Sequence, residues 1–328
     1  MTSIFIAPQT HRLRSGWRAL IFLVLSPLAL IAVAPFLPAS ETSSAGLAID
    51  LPTILNYAIQ VAWLLVASWL CLKYLEKMRL ASLGFGFLPG WWRETWLGFV
   101  IAALMIVAVV ALQALGGGTR FMLNPLFWKS ADGIRSLDFI GLGMIAREIG
   151  LALILFALAA AFEELLFRGY PFQTLLRGGI PPAVPIILLS VFFGAMHLGN
   201  PSSTRFSTIN TILAGIWLAI AYLKTRSLWF PTALHLGWNW TMGAVFGIPV
   251  SGLKLVQYPV LLATSEAPLW LTGGSYGCEG GAAATLVLIL ATLIIWKAKW
   301  LPVAPEMYAL LNTHDTEKSE TIQLGLVE

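Results

Sequence analysis

Six polar residues stand inside otherwise apolar stretches, and their spacing is that of helix faces. The first group is Glu163-Glu164-Leu165-Leu166-Phe167-Arg168, the second Phe193-Gly194-Ala195-Met196-His197, the third His235-Leu236-Gly237-Trp238-Asn239. Residues four apart on a helix share a face, so Glu164 and Arg168 are placed to pair, as are His235 and Asn239. Glu163 points about 100° away from Glu164 and has no basic partner at that spacing. Glu164 is therefore expected to be held ionised, and Glu163 to be the carboxylate left to take a proton from water.

A carboxylate base, two imidazoles and an amide are the parts for water-mediated hydrolysis of an amide bond. Glu163 would activate the water. His197 and His235 would orient it or hold a metal. Asn239, with His235, would stabilise the oxyanion through donors that need no charge of their own. Two His and one carboxylate around a metal would leave a position open for water, as in hydrolytic zinc sites. The ligands would come from three separate helices rather than from one compact H-E-x-x-H segment.

Each motif alone has a plainer reading. A buried Glu–Arg pair can simply join helices, and an intramembrane His or Asn can serve as an interhelical hydrogen-bond clamp. Buried carboxylates and imidazoles can also relay protons in carriers. The three motifs together favour hydrolysis over a carrier, and no internal repeat of the kind many transporters carry is evident.

The elements that must position these residues are membrane helices. The chain has 328 residues, of which 58% are hydrophobic and only 11% charged. A soluble domain carries about 25% charged residues, so 20 basic and 16 acidic residues cannot cover a water-soluble globule of this size. So much apolar surface also excludes disorder. The net charge of +4 comes from scattered basic residues that form no stripe, so no nucleic-acid partner is expected. Continuous apolar runs, rather than alternating ones, exclude a membrane barrel.

The runs predict an all-α polytopic bundle of about eight transmembrane helices, over roughly 17–38, 52–73, 95–116, 141–170, 182–199, 207–224, 228–248 and 281–298. The first apolar run is longer than a signal-peptide core and is expected to remain as a helix. Lys and Arg gather at one end of this arrangement. Arg12, Arg14, Arg18, Lys73, Lys77, Arg79, Arg93, Arg168, Arg177, Lys224, Arg226, Lys297, Lys299 and Lys318 face Arg120, Lys129, Arg135, Arg205 and Lys254. That bias places both termini in the cytoplasm. Trp17, Trp91, Trp92, Trp229, Trp296 and Trp300 lie near helix ends, as interfacial residues do. Cys71 and Cys278 fall at opposite ends and are expected not to pair.

Three regions follow: helices one to three with an external loop (1–140), a catalytic helical core (141–300) and a polar cytoplasmic tail (301–328). The loop 117–140, with Asp132, Arg135 and Asp138, is expected to carry a surface helix. One conflict of depth arises. A fifth helix starting near Pro182 would bring His197 about 22 Å along its axis, whereas His235 lies only about 13 Å beyond Arg226. The motifs meet only if that helix is tilted or starts within the membrane.

The pattern Glu163-Glu164-x-x-x-Arg168, Phe193-x-x-x-His197 and His235-x-x-x-Asn239, in this order on successive helices, resembles the CPBP family. These are intramembrane proteases related to type II CAAX prenyl endopeptidases and to bacteriocin self-immunity (Abi) proteins. Phe167-Arg168-Gly169 and Ser227-Leu228-Trp229 also look like the family, and the resemblance covers about residues 145–248. The Gly-rich segment Gly273–Gly281, with Glu279, is similar to one before the last helix in some members. The resemblance implies an eight-helix bundle in a bacterial cytoplasmic membrane, with a cavity opening to the cytoplasm. It implies Glu163 as the catalytic carboxylate, His197 and His235 as water or metal partners, Asn239 in the oxyanion hole, and Glu164 and Arg168 in support. Zn²⁺ on Glu163, His197 and His235, or water activated by glutamate without metal, would supply the nucleophile. The substrate would be a peptide or membrane protein cut near a membrane-associated, CAAX-type C-terminus. A non-catalytic immunity or scaffold protein using the same polar network is the alternative.

Overall fold

The computed structural model describes residues 4–7, 12–37, 42–43, 46–47, 49–117, 119–131, 134–265, 267–301 and 303–307. Most of the expected tail, and Asp132, lie outside the described residues. Helices dominate: α1 (Ser15–Val33), α2 (Leu51–Cys71), α3 (Trp91–Leu115), α4 (Phe139–Phe167), α5 (Tyr170–Arg177), α6 (Ala183–Met196), α7 (Arg205–Thr225), α8 (Trp229–Trp240), α9 (Leu269–Thr272) and α10 (Ala282–Lys297). Among the described residues, five spans are long and apolar enough to cross a bilayer: Ser15–Phe36, Leu51–Glu76, Trp91–Leu115, Phe139–Arg177 and Arg205–Thr225. The chain is an all-α helical membrane bundle. Each of the eight expected helical regions is helical, but α6 and α10 are shorter apolar helices, and α8 is prolonged by a π-turn over Thr241–Val245.

Local chemistry sets the starts. Asp50 accepts a hydrogen bond from the Thr53 amide at 2.8 Å at the head of α2, and Asp138 caps α4 through the Ile140 amide. Thr204 and Ser207 form a reciprocal capping box on α7. Such caps satisfy donors that a membrane offers no water to satisfy. Large apolar side chains such as Leu25, Leu28 and Ile31 on α1 remain exposed on the bundle's outside, where lipid would be their solvent.

Two differences from the expected elements have clear causes. The fourth helix does not run to residue 170. It stops at Phe167, and Pro171 opens a new helix, α5, at its first turn. A side chain on Gly169 would lie 2.2 Å from the Leu165 carbonyl oxygen, so the corner between α4 and α5 admits only glycine. The external loop holds strands rather than a helix. β1 (Thr42–Ser43) and β2 (Gly46–Leu47) pair near the N-terminus. After α3, β3 (Thr119–Leu123) pairs antiparallel with β6 (Leu261–Ser265), and β4 (Trp128–Ala131) forms a hairpin with β5 (Ile134–Leu137). Asn124 fastens this layer by donating to the Pro259 carbonyl at 2.9 Å. Pro125 opens a single 3-10 turn there, Pro125–Phe127.

The core has two parts. One joins α3, α4, α7, α8 and α10 around Ile106, Phe156, Leu234 and Leu288. The other joins α1, α2, α5 and α6 around Phe22, Leu64, Phe172 and Phe193. α3 and α8 approach through glycines on both sides. A Cβ on Gly98 would lie 2.7 Å from the Phe230 carbonyl, and one on Gly237 would lie 2.5 Å from that of Phe99. Gly237→Val is therefore expected to force the helices apart and lower the thermal unfolding midpoint in detergent, by a mechanism typically costing about 1–3 kcal/mol. An unchanged midpoint would contradict this close packing. Cys71 and Cys278 are both free thiols.

Candidate active site

The end of α4 brings a buried ionic network together. Arg168 donates Nη1 to Glu164 Oε1 at 3.0 Å and Nη2 to the Gly215 carbonyl of α7 at 2.7 Å. Its side chain is 2% exposed and that of Glu164 is wholly buried. The guanidinium also lies over the Phe193 ring, 4.9 Å from the centroid. A charge this deep is tolerated because its countercharge and a backbone carbonyl meet it in one geometry. Arg168 thus spans from Glu164 on its own helix to the backbone of α7.

The Glu164 carboxylate orients His235. Nδ1 lies 3.1 Å from Glu164 Oε1, and since the carboxylate can only accept, Nδ1 carries the proton. In the neutral ring Nε2 is then a bare acceptor. It faces Glu163 Oε2 at 3.8 Å. The Glu163 side chain is 26% exposed, so it keeps more freedom than Glu164. One oxygen of each glutamate, Oε2 in both cases, is buried without a hydrogen-bond partner in the protein. Unsatisfied buried acceptors cost about 1–3 kcal/mol each. Their clustering beside His235 Nε2 marks a place suited to a polar molecule such as water.

His197 caps the C-terminus of α6. Its Nδ1 donates to the Phe193 carbonyl at 2.8 Å, which leaves its Nε2 as an acceptor. α6 starts at Ala183, one residue beyond the expected start, so His197 still lies about 21 Å along it. His197 and His235 nevertheless line the same cavity. Phe193 joins the two: its ring centroid is 4.8 Å from His197 and 6.1 Å from His235.

A cavity of about 420 Å³ adjoins the network. His197, His235 and Asn239 line it, together with Trp217, Trp238, Ser251 and Glu279 among others. Among the described residues, the Asn239 amide has no hydrogen-bond partner. Glu163 is not a wall residue and meets the cavity through His235. The structure thus makes two groups of the expected residues, Glu163-Glu164-Arg168-His235 and His197-His235-Asn239, with His235 in both. The wall comes from the C-terminal end of α6, the first two thirds of α7, the C-terminal half of α8, Leu288 of α10 and the loops at that end. This is the half of the bundle away from Arg79, Arg93, Lys224 and Arg226, whereas the resemblance implies an opening on the basic side. The connectivity fixes this placement, since α6 and α8 both run away from the basic end.

Sequence reasoning gave little weight to Glu279 and assigned Trp238 no role in the chemistry. The Trp238 indole donates to Glu279 Oε1 at 2.9 Å. Trp240, by contrast, bonds the Ile149 carbonyl and is a packing residue. The available signal was the unusual glycine density of Gly273–Gly281 around one acidic residue.

Among the described residues, no three His, Cys, Asp or Glu side chains gather as a metal-ligand group. The Nδ1 atoms of His197 and His235 are both turned onto protein acceptors, which leaves Nε2 of each as the atom that could bind a metal.

Fold and site together define a polytopic helical membrane protein with an intramembrane polar centre built on α4, α6 and α8. Residues 145–241, which contain all three motifs, match the family model described as type II CAAX prenyl endopeptidase Rce1-like. The chain is also similar to "Uncharacterized protein YyaK" of Bacillus subtilis (strain 168), 25% identical over 138 residues. That likeness spans 42% of this chain and 39% of the relative.

Proposed function

We propose that the protein is an intramembrane endopeptidase that cleaves a peptide bond near a membrane-associated, CAAX-type C-terminus, in a bacterial cytoplasmic membrane. One observation carries the reading: a buried Glu164–Arg168 pair orients His235 so that its Nε2 and the half-free Glu163 face each other. In the proposed reaction, water sits between these two groups. Glu163 takes its proton as the oxygen attacks the carbonyl carbon. The Asn239 amide, unpartnered on the cavity wall, donates to the oxyanion. His235, acting as an acceptor, orients the water rather than the oxyanion, and His197 Nε2 offers a second acceptor in the cavity. Collapse breaks the C–N bond, and Glu163 returns the proton to the leaving amine.

The family match over residues 145–241 supports this reading. The test is cleavage of a solubilised membrane-protein pool by the wild-type chain and by Glu163→Gln, read as new N-termini. Identical cleavage by both would overturn the reading. Because the chemistry runs on the protein's own groups, removing metals with EDTA is expected to leave cleavage unchanged. Loss with EDTA and recovery with Zn²⁺ would instead put Glu163, His197 and His235 around a metal.

A further inference from the structure

We propose that Glu279, which lies outside all three motifs, is a positioning residue of this site. It would hold Trp238, and so the Asn239 end of α8, against the loop that edges the cavity. The inference rests on the peptidase reading. Its geometry is complete on both oxygens. Oε1 accepts from Trp238 Nε1 at 2.9 Å, and Oε2 accepts from the Ser251 amide at 2.7 Å and from the Ser251 hydroxyl at 2.8 Å. Hydrogen bonds to a charged acceptor are the stronger kind. Glu279, Trp238, Asn239 and Ser251 are all wall residues of the one cavity.

The carboxylate is itself held from behind. Asn210 on α7 donates Nδ2 to the Glu279 carbonyl at 2.7 Å and to that of Gly281 at 3.1 Å, while its Oδ1 accepts from the Thr285 hydroxyl. Glycines let the segment press in. Gly277 has φ +95°, and a Cβ there would lie 2.0 Å from the Pro249 carbonyl oxygen. Glu279 is thus fixed at its backbone by α7 and grips α8 and the 249–252 loop by its side chain. Trp238 immediately precedes Asn239, so the tether sets where the Asn239 amide sits.

The chemistry requires a carboxylate here. Donors approach both oxygens, and an amide would turn its own NH₂ towards either the indole N–H or the Ser251 N–H. Glu279→Gln therefore keeps the volume and breaks one arm of the tether. Trp238→Phe removes the other side of the indole contact and leaves the Glu279 side chain itself unchanged.

The test uses purified full-length protein in nanodiscs with a quenched fluorescent farnesylated CAAX peptide as probe. It compares wild type, Glu279→Gln, Trp238→Phe and the double variant. Hydrogen exchange of the Ser251 amide is followed in the same samples. The expected result is a loss of about tenfold in kcat for each single variant, in line with the sensitivity of catalysis to small misplacement, with KM little changed. The double variant should be no worse than the poorer single one, because both cut the same link. Exchange at Ser251 should accelerate in Glu279→Gln. A rise in KM alone for Glu279→Gln, with Trp238→Phe unaffected, would make Glu279 a substrate contact and overturn the inference. So would additive losses, or exchange at Ser251 that does not change. A wild-type chain that cleaves no peptide overturns the peptidase reading, and with it any role of Glu279 in turnover. The exchange measurement still decides whether the tether exists.

Discussion

Glu163→Gln is expected to reduce peptide cleavage by about 10²–10⁴, the usual contribution of a positioned general base, while the protein folds as before. The substitution keeps the side chain's length and volume and removes only its capacity to accept a proton from water. Glu163 is the right place for so large an effect because its carboxylate is not spent on Arg168. Arg168 is fully occupied by Glu164 and the Gly215 carbonyl, and Glu163 Oε2 has no hydrogen-bond partner in the protein. The same variant separates the enzyme from the immunity or scaffold alternative. A protein that uses the network only to hold helices together would keep partner binding or toxin protection in Glu163→Gln, since an amide there still accepts and donates hydrogen bonds. Cleavage that persists at the wild-type rate would remove Glu163 from the chemistry. Loss of the folded protein would show that its charge is structural.

The part of the site legible in the sequence was the part written at helical spacing. Glu164 and Arg168 are four apart, and their ion pair is in the structure at 3.0 Å. Few charges occur at membrane depth, so each one that does is conspicuous against the apolar background. The pairing of His235 with Glu164 needed more, since the residues are 71 apart. Only the antiparallel packing of α4 on α8 brings them together. Glu279 was harder still. Its contacts to Trp238 and Ser251 are 41 and 28 residues away and join a helix, a loop and a 3-10 turn. No period in the sequence encodes such a contact. The break between α4 and α5 was hidden for a different reason: Leu165, Leu166 and Phe167 continue the apolar pattern, and the chain turns only because Gly169 and Pro171 follow. The strand pair β3–β6 joins residues on either side of five helices, so local hydropathy could not show it.

Removing the cation from the network should be the most damaging structural change. Arg168→Leu is expected to cost about 3–5 kcal/mol of stability, the range for breaking a buried pair by deleting one partner. Glu164 would be left wholly buried as an unpaired carboxylate, the Gly215 carbonyl would lose its donor, and Phe193 would lose the cation over its ring. Arg168→Lys should not restore the site, because a single ammonium cannot replace a planar fork that serves Glu164 and Gly215 at once. The informative variant is the pair Glu164→Gln with Arg168→Leu. It removes both charges, so it should recover much of the lost stability, as when both members of a buried pair are replaced. The Gln carbonyl would still accept from His235 Nδ1, keeping that ring's orientation. Thermal unfolding of the purified proteins in detergent measures all three. If Arg168→Leu melts with the wild type, Glu164 is not held as a carboxylate by Arg168. If the double variant is no better than Arg168→Leu, the damage comes from lost packing on Phe193 and α7 rather than from a stranded charge.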